Sequence, residues 1–184
     1  MEQVARARDR RYRQVMVMPS FVAALRAAVG HRTLWLVSAT AVIFGPSDDP
    51  SQRNVLLVRD IESGLWSPVT GIVEPGEEPD TTVIREVREE AGLDIRVNRL
   101  LRVAATAPVR YPNGDCAQYL DHSFECTIIG GEPHADFDET DAVGWFPLGR
   151  LPPMHQELKK RLGAVEAQTE HVHFGDSRVY RCGD

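Results

Sequence analysis

Seven acidic side chains and two basic ones share the 23 residues 71–93, GIVEPGEEPDTTVIREVREEAGL. Three of the acids, Glu86, Glu89 and Glu90, sit at the three- and four-residue spacings that bring side chains together on one face of a helix. Like charges so placed repel by a few tenths of a kcal/mol per pair. Two readings of the face are open: a solvated acidic surface, or a set of oxygen ligands around a hard divalent cation. Mg²⁺ suits the second, because it binds through a few carboxylates together with substrate phosphates. A cation held there would neutralise anionic oxygens of a substrate and acidify a bound water.

The elements that must position these acids are legible around them. Residues 80–92 read as a helix, with Asp80 as N-cap and Gly92 as its stop. Val83, Ile84, Val87 and Ala91 fall on a separate face, which gives the helix a stripe to bury. Strands are expected over 33–44 and 54–60, then in LDIRVNRLLRVAAT, AQYLDHSFECTII and AVGWF. Between LDIRVNRLLRVAAT and AQYLDHSFECTII, Asn113-Gly114 signals a hairpin turn. MPSFVAALRAAVG and residues 154–167 read as further helices, and HVHFGDSRVYRCGD as a small strand or irregular tail. Regular βα alternation is missing, so the predicted class is α+β, helices packed on a central mixed sheet. The expected division is a basic arm and short helix over 1–32, the main domain over 33–167, and a tail over 168–184.

Bulk properties narrow the function classes. A chain of 184 residues, 42% hydrophobic and 26% charged, matches a soluble globular protein with a substantial core. Residues 1–32 hold seven Arg and two acids, a balance of +5; with a total of −6, the remainder carries −11. So acidic a body argues against duplex DNA, whose binding rests on phosphate neutralisation by Lys and Arg. The basic start precedes an apolar run, as in a targeting signal, but Pro19, Ser20 and Arg26 interrupt it. Nothing approaches the ~18 apolar residues of a membrane span. Cys116, Cys126 and Cys182 are odd in number and lack CxxC spacing, which argues for reduced thiols in a cytoplasmic protein.

Gly71, Glu77, Arg85-Glu86-Val87, Glu89-Glu90 and Gly92-Leu93 stand at the spacing of the Nudix box, and the chain resembles the Nudix hydrolase family at every defining position. The resemblance implies an α/β/α sandwich in which a loop-helix-loop presents divalent cations. It also implies hydrolysis of a nucleoside diphosphate linked to another moiety. Carried over by position, Glu86, Glu89, Glu90 and the Gly71 carbonyl would hold Mg²⁺, for which Mn²⁺ can substitute. Glu77 and Arg85 would pair to brace the loop, and Gly76 would let it turn tightly. Homodimers are common in the family, and the chain leaves that state open. Thr70, Thr81 and Thr82 depart from the frequent glycine and alanines of the pattern without removing a ligand.

The substrate is less legible. Pro108, 15 residues beyond Leu93, is similar to a proline of ADP-ribose hydrolysing members. Tyr111, 18 beyond it, is similar to a tyrosine of members acting on diadenosine polyphosphates. The same two residues also suit an ordinary turn. The NADH-type signature is absent. Glu139 is a candidate general base or extra ligand, against a solvated loop acid. Arg59 is a phosphate contact or a surface ion pair, and Trp66 a base-stacking or a core residue. Around His171 and His173 the sequence shows no acid or cysteine at metal-ligand spacing. The leading expectation is an Mg²⁺-dependent pyrophosphatase acting on ADP-ribose or another nucleoside diphosphate sugar. Canonical or oxidised (d)NTPs come second, and a nucleotide-sensing domain with little turnover is the alternative of another class. The Arg-rich start (Arg6, Arg8, Arg10, Arg11, Arg13) keeps an RNA-linked role as a third reading.

Overall fold

The computed structural model describes residues 18–45, 52–166 and 171–174. The expectations for the arginines of residues 6–13 and for Cys182 fall outside them. The elements run α1 (Ser20–Val29), β1 (Leu34–Gly45), β2 (Asn54–Asp60), β3 (Trp66–Ser67), β4 (Thr70–Ile72), α2 (Pro79–Ala91), β5 (Leu93–Ala105), β6 (Val109–Arg110), β7 (Cys116–Gly131) and β8 (Thr140–Pro147). A 3-10 turn at Leu148–Arg150, helix α3 (Gln156–Glu166) and the short β9 (His173–Phe174) complete them.

One mixed sheet organises the domain, in the order β3-β2-β1-β7-β5-β9, with β4 on β1, β6 on β7 and β8 on β2. The long β1 pairs in parallel with β7 from Leu34↔Ala117 to Ile43↔Cys126, and β5 runs antiparallel to β7. On its other side β1 pairs with β4 at Ser38–Thr40, which delivers Gly71 opposite Ala39. Strand alternation then sorts the core. On β1 and β2, Ala39, Ala41, Ile43, Leu56 and Val58 join the cluster containing Val83, Val87 and Ala91 of α2. Their neighbours Val42, Val55 and Leu57 instead join Leu162 of α3. The two helices therefore cover opposite faces, an α/β/α sandwich as expected. Val83 and Val87 are 1% and 0% exposed, and burial of each contributes about 1.5–3 kcal/mol.

Helix α2 starts one residue earlier than expected. Asp80 is not its N-cap; Pro79 occupies the first turn and Glu78 precedes it in extended conformation with no side-chain cap. Proline favours the first helical position because its fixed φ is helical and its missing N–H has no intrahelical use there. Asp80 is left in the first turn, where its carboxylate accepts the Thr81 N–H at 3.0 Å. Gly92 ends the helix at φ 66°, ψ 20°, as expected, its N–H reaching the Arg88 and Val87 carbonyls.

Away from the acidic helix, Asp121 of β7 is 1% exposed yet well satisfied. It accepts from Ser38 Oγ (3.1 Å), Thr40 Oγ1 (2.7 Å) and Ser123 Oγ (2.8 Å), with Arg161 Nη1 of α3 at 3.5 Å. Buried charge requires such partners, and these tie α3 to the β1–β7 pair. Among the described residues no helix is long and apolar enough to cross a membrane.

Candidate active site

Arg85 is the hub of the acidic loop-helix segment. Its Nε meets Glu77 Oε1 at 2.9 Å and its Nη2 meets Glu77 Oε2 at 3.0 Å, a two-pronged pair across the loop. Glu77 Oε2 also accepts from Thr82 Oγ1 at 2.8 Å and from the Glu74 N–H at 3.2 Å. These bonds, that from Arg85 foremost, pull the Glu77 carboxyl down to about 2. Arg85 Nη1 reaches the other way, to Glu86 Oε1 at 2.8 Å and Glu89 Oε2 at 3.2 Å. Gly76, between Glu74 and Glu77, takes φ 90°, which a residue with a Cβ strongly resists.

Glu86 and Glu90 are acids in an environment hostile to their charge. Glu90 is 8% exposed, and burial raises its carboxyl well above the usual range, with Glu86, Glu139, Asp136 and Asp60 adding repulsion. Burial likewise raises Glu86, opposed by Arg85 and reinforced by Glu89 and Glu139. Glu139, from the loop before β8, therefore converges on the box acids although about 50 residues separate them in the chain. Asp136 fixes that loop: its Oδ1 accepts from the backbone N–H groups of Asp138, Glu139 and Thr140. Thr140 Oγ1 in turn donates to the Glu90 carbonyl at 3.0 Å. Gly71 lies directly beneath Glu86, and a Cβ there would overlap the Glu86 carboxyl group.

The donor set suits a divalent cation. It is all oxygen, clustered and partly buried, and the one charge of Arg85 offsets only part of its negative charge, which a hard cation would complete. Among the described residues no three acid, imidazole or thiol side chains already close into a metal cage. The Arg85 guanidinium supplies local positive charge by bonding Glu86 and Glu89. Glu89 is the more exposed ligand candidate, its side chain 58% accessible.

A cleft of about 650 Å³ opens beside this cluster, lined there by Gly71, Glu74, Arg85, Glu86, Glu89 and Glu139. Tyr111 lines it too, but Arg59, Trp66 and Pro108 do not. Arg59 Nε is held by Asp141 at 2.6 Å, and its guanidinium lies 5.7 Å from the Trp66 ring centre. Trp66 packs edge-on against Phe146 at 4.6 Å, on the apolar cluster beneath α3. Pro108 is exposed just before β6. Cys126 is buried, with its thiol pushed up to about 12, so it is no nucleophile at neutral pH.

Several contributors carried little signal in the sequence. Thr82 stands where a small apolar residue is frequent, and its hydroxyl is a hydrogen bond on Glu77. Asp60 and Asp136 add charge around Glu90 from distant segments. Glu62, on the turn after β2, lines the cleft.

Comparison with known proteins agrees with this geometry. A family model described as NUDIX domain matches residues 35–165. YjhB of Bacillus subtilis, named as a candidate ADP-ribose pyrophosphatase, is 32% identical over 103 residues, covering 56% of this chain and 49% of its own. The NAD-capped RNA hydrolase NudC of Pseudomonas fluorescens is 31% identical over 106 residues, covering 54% of this chain and 34% of its own. The chain thus spans half or less of the length of these two curated relatives. A solved ADP-ribose pyrophosphatase from Streptococcus suis superposes with TM-score 0.57 at 27% identity, covering 76% of this chain and 96% of that one.

Proposed function

The chain belongs to the Nudix hydrolase family, and on that premise we propose that it cleaves the diphosphate of a nucleoside diphosphate linked to a second moiety. ADP-ribose or another nucleoside diphosphate sugar is the favoured substrate. The observation that carries this reading is the convergence of Glu86, Glu89 and Glu139 at one end of a cleft of about 650 Å³, with the buried Glu90 close enough to feel the charges of Glu86 and Glu139. That volume suits a ligand of nucleotide size. The names of YjhB and of the solved structure support ADP-ribose by likeness, and that of NudC supports the wider class of linked nucleoside diphosphates. Residues 33–167 are taken as the hydrolase domain, in line with the match over 35–165.

In this reading Glu86, Glu89, Glu90 and the Gly71 carbonyl would hold Mg²⁺ or Mn²⁺. When bound, the cation neutralises diphosphate oxygens and acidifies a water. The chain's own residues do the rest. Glu77 and Arg85 keep the loop against α2, so that Gly71 and Glu86 stay in contact. Glu139, set by Asp136, takes the proton of the attacking water on its carboxylate. The water oxygen bonds to one phosphorus as the bridging P–O bond breaks, and the second phosphate leaves with its substituent. A panel of nucleotides with Mg²⁺ and with Mn²⁺ tests the assignment. AMP from ADP-ribose supports it; pyrophosphate from a triphosphate, with no AMP from ADP-ribose, supports the (d)NTP reading instead. Saturable binding without product supports a sensor.

A further inference from the structure

Helix α1 lies outside the residues matched by the family model, yet it forms a wall of the same cleft. The cleft is two-sided in chemistry. One end carries the acids already described. The other is lined by Met18 just before α1 and Val22 within it, by Leu36 of β1 and Ala117 of β7, by Tyr111 and Tyr119, and by the polar Arg26, Asn113 and Asp115. Val22, Leu34, Leu36 and Ala117 form a core cluster against which Met18 and both tyrosines pack. This end is thus mainly apolar and aromatic, with two hydroxyls and three further polar side chains.

The wall is anchored rather than loosely apposed. Arg26 of α1 is only 11% exposed in its side chain. It donates from Nη2 to the Cys116 carbonyl at 2.6 Å, and from Nη1 to the Arg32 carbonyl at 2.6 Å. His31 Nδ1, beyond the helix, lies 2.8 Å from Asp115 Oδ1, and Asn113 Nδ2 donates to Asp115 Oδ2 at 2.9 Å. Through Cys116 and Asp115 these contacts fasten the β7 end of the β6–β7 turn to α1 and to the segment that follows it. The Tyr111 and Tyr119 hydroxyls stand 2.7 Å apart. Whichever donates, one O–H and several lone pairs are left for a ligand.

We propose that α1, with Leu36, Tyr111 and Tyr119, is the nucleobase-binding end of the cleft, so that the first helix contributes to substrate choice. This base site rests on the proposed hydrolysis for the other end: a diphosphate held at the acids directs one substituent toward this wall. A flat, apolar ring edged by donors and acceptors matches the wall, whereas a bare sugar offers little to Met18, Val22 and Leu36. The base packs against those side chains, and its polar edge meets the tyrosine hydroxyls.

The test is calorimetric titration of AMP and of ribose 5-phosphate into wild-type, Val22→Phe and Tyr119→Phe proteins, with circular dichroism to confirm folding. Wild type is expected to bind AMP at least about tenfold more tightly than ribose 5-phosphate, since stacking and apolar contact to a base are lost in the sugar. Val22→Phe, which fills the cleft, is expected to remove most of that preference while leaving ribose 5-phosphate affinity in place. Tyr119→Phe deletes a single hydroxyl and is expected to weaken AMP by roughly 3- to 10-fold; it decides the matter if Val22→Phe does not fold. Equal affinity for the two ligands in wild type, or unchanged preference in the folded variants, overturns the proposal. Turnover of ADP-ribose without such preference refutes the base site alone. Preference for AMP without any turnover refutes the hydrolase reading alone.

Discussion

Arg85 and Glu77 face each other through two parallel contacts of 2.9 and 3.0 Å, closing the loop that carries Gly76 onto helix α2. The carboxyl of Glu77 falls to about 2, so folding favours its ionised form. That contribution is fully present above the unfolded value of 4.5 and is lost as pH falls toward 2. With the Glu77 side chain only 14% exposed, it amounts to roughly 3 kcal/mol. Urea unfolding of wild type and Glu77→Gln should show a wide gap at pH 7 that narrows below pH 4.5. A gap independent of pH would count against the ion pair as its source.

Gly71 has no room for a side chain. Gly71→Ala must push the Glu86 carboxyl aside, and displacement of a reacting group's support by about 1 Å can lower turnover on the order of 100-fold. Circular dichroism should report an intact fold, because Gly71 is in extended strand pairing with Ala39. Full activity in Gly71→Ala would show that the Glu86 position is unimportant.

Burial makes Glu90 a source of instability before it is a source of function. Its folded-state value is raised, so stability is greatest below the unfolded value of 4.5 and declines as pH rises through the folded one. In metal-free protein, Glu90→Gln should therefore raise Tm at pH 8 and flatten its pH dependence. Mg²⁺ should raise Tm in wild type more than in the variant. A variant less stable than wild type without metal would contradict this account of the site.

Arg59 is tied to Asp141 and lies off the cleft. Arg59→Ala should leave KM for the preferred nucleotide within about twofold, as for surface changes remote from a site. A tenfold rise in KM would restore it as a phosphate contact.

Where residue pattern alone determines local structure, the sequence was a good guide. β-Branched runs marked β1, β2, β5 and β7, and the stripe of Val83, Val87 and Ala91 marked the buried face of α2. The cap of α2 was missed because proline geometry at Pro79 outweighed the capping preference of Asp80. The two- and three-residue strands β3, β4 and β6 are too short to show a period, and only pairing with longer neighbours defines them. Within the site, the spacing of Glu77, Arg85, Glu86, Glu89 and Glu90 was visible because all lie on one loop-helix unit. The joining of α1 to the cleft was not, since the bond from Arg26 to the Cys116 carbonyl spans 90 positions and has no local signature.

The central claim is that the acids around Glu90 convert a cleft into a metal-dependent diphosphate hydrolase. Its most direct test follows AMP release from ADP-ribose with and without Mg²⁺, in wild type and in folded Glu90→Gln. The account predicts Mg²⁺-dependent AMP release by wild type and a loss on the order of 1,000-fold or more in the variant, the scale of removing a principal charge from a catalytic site. AMP release that is independent of the cation, or that persists undiminished in Glu90→Gln, would contradict it.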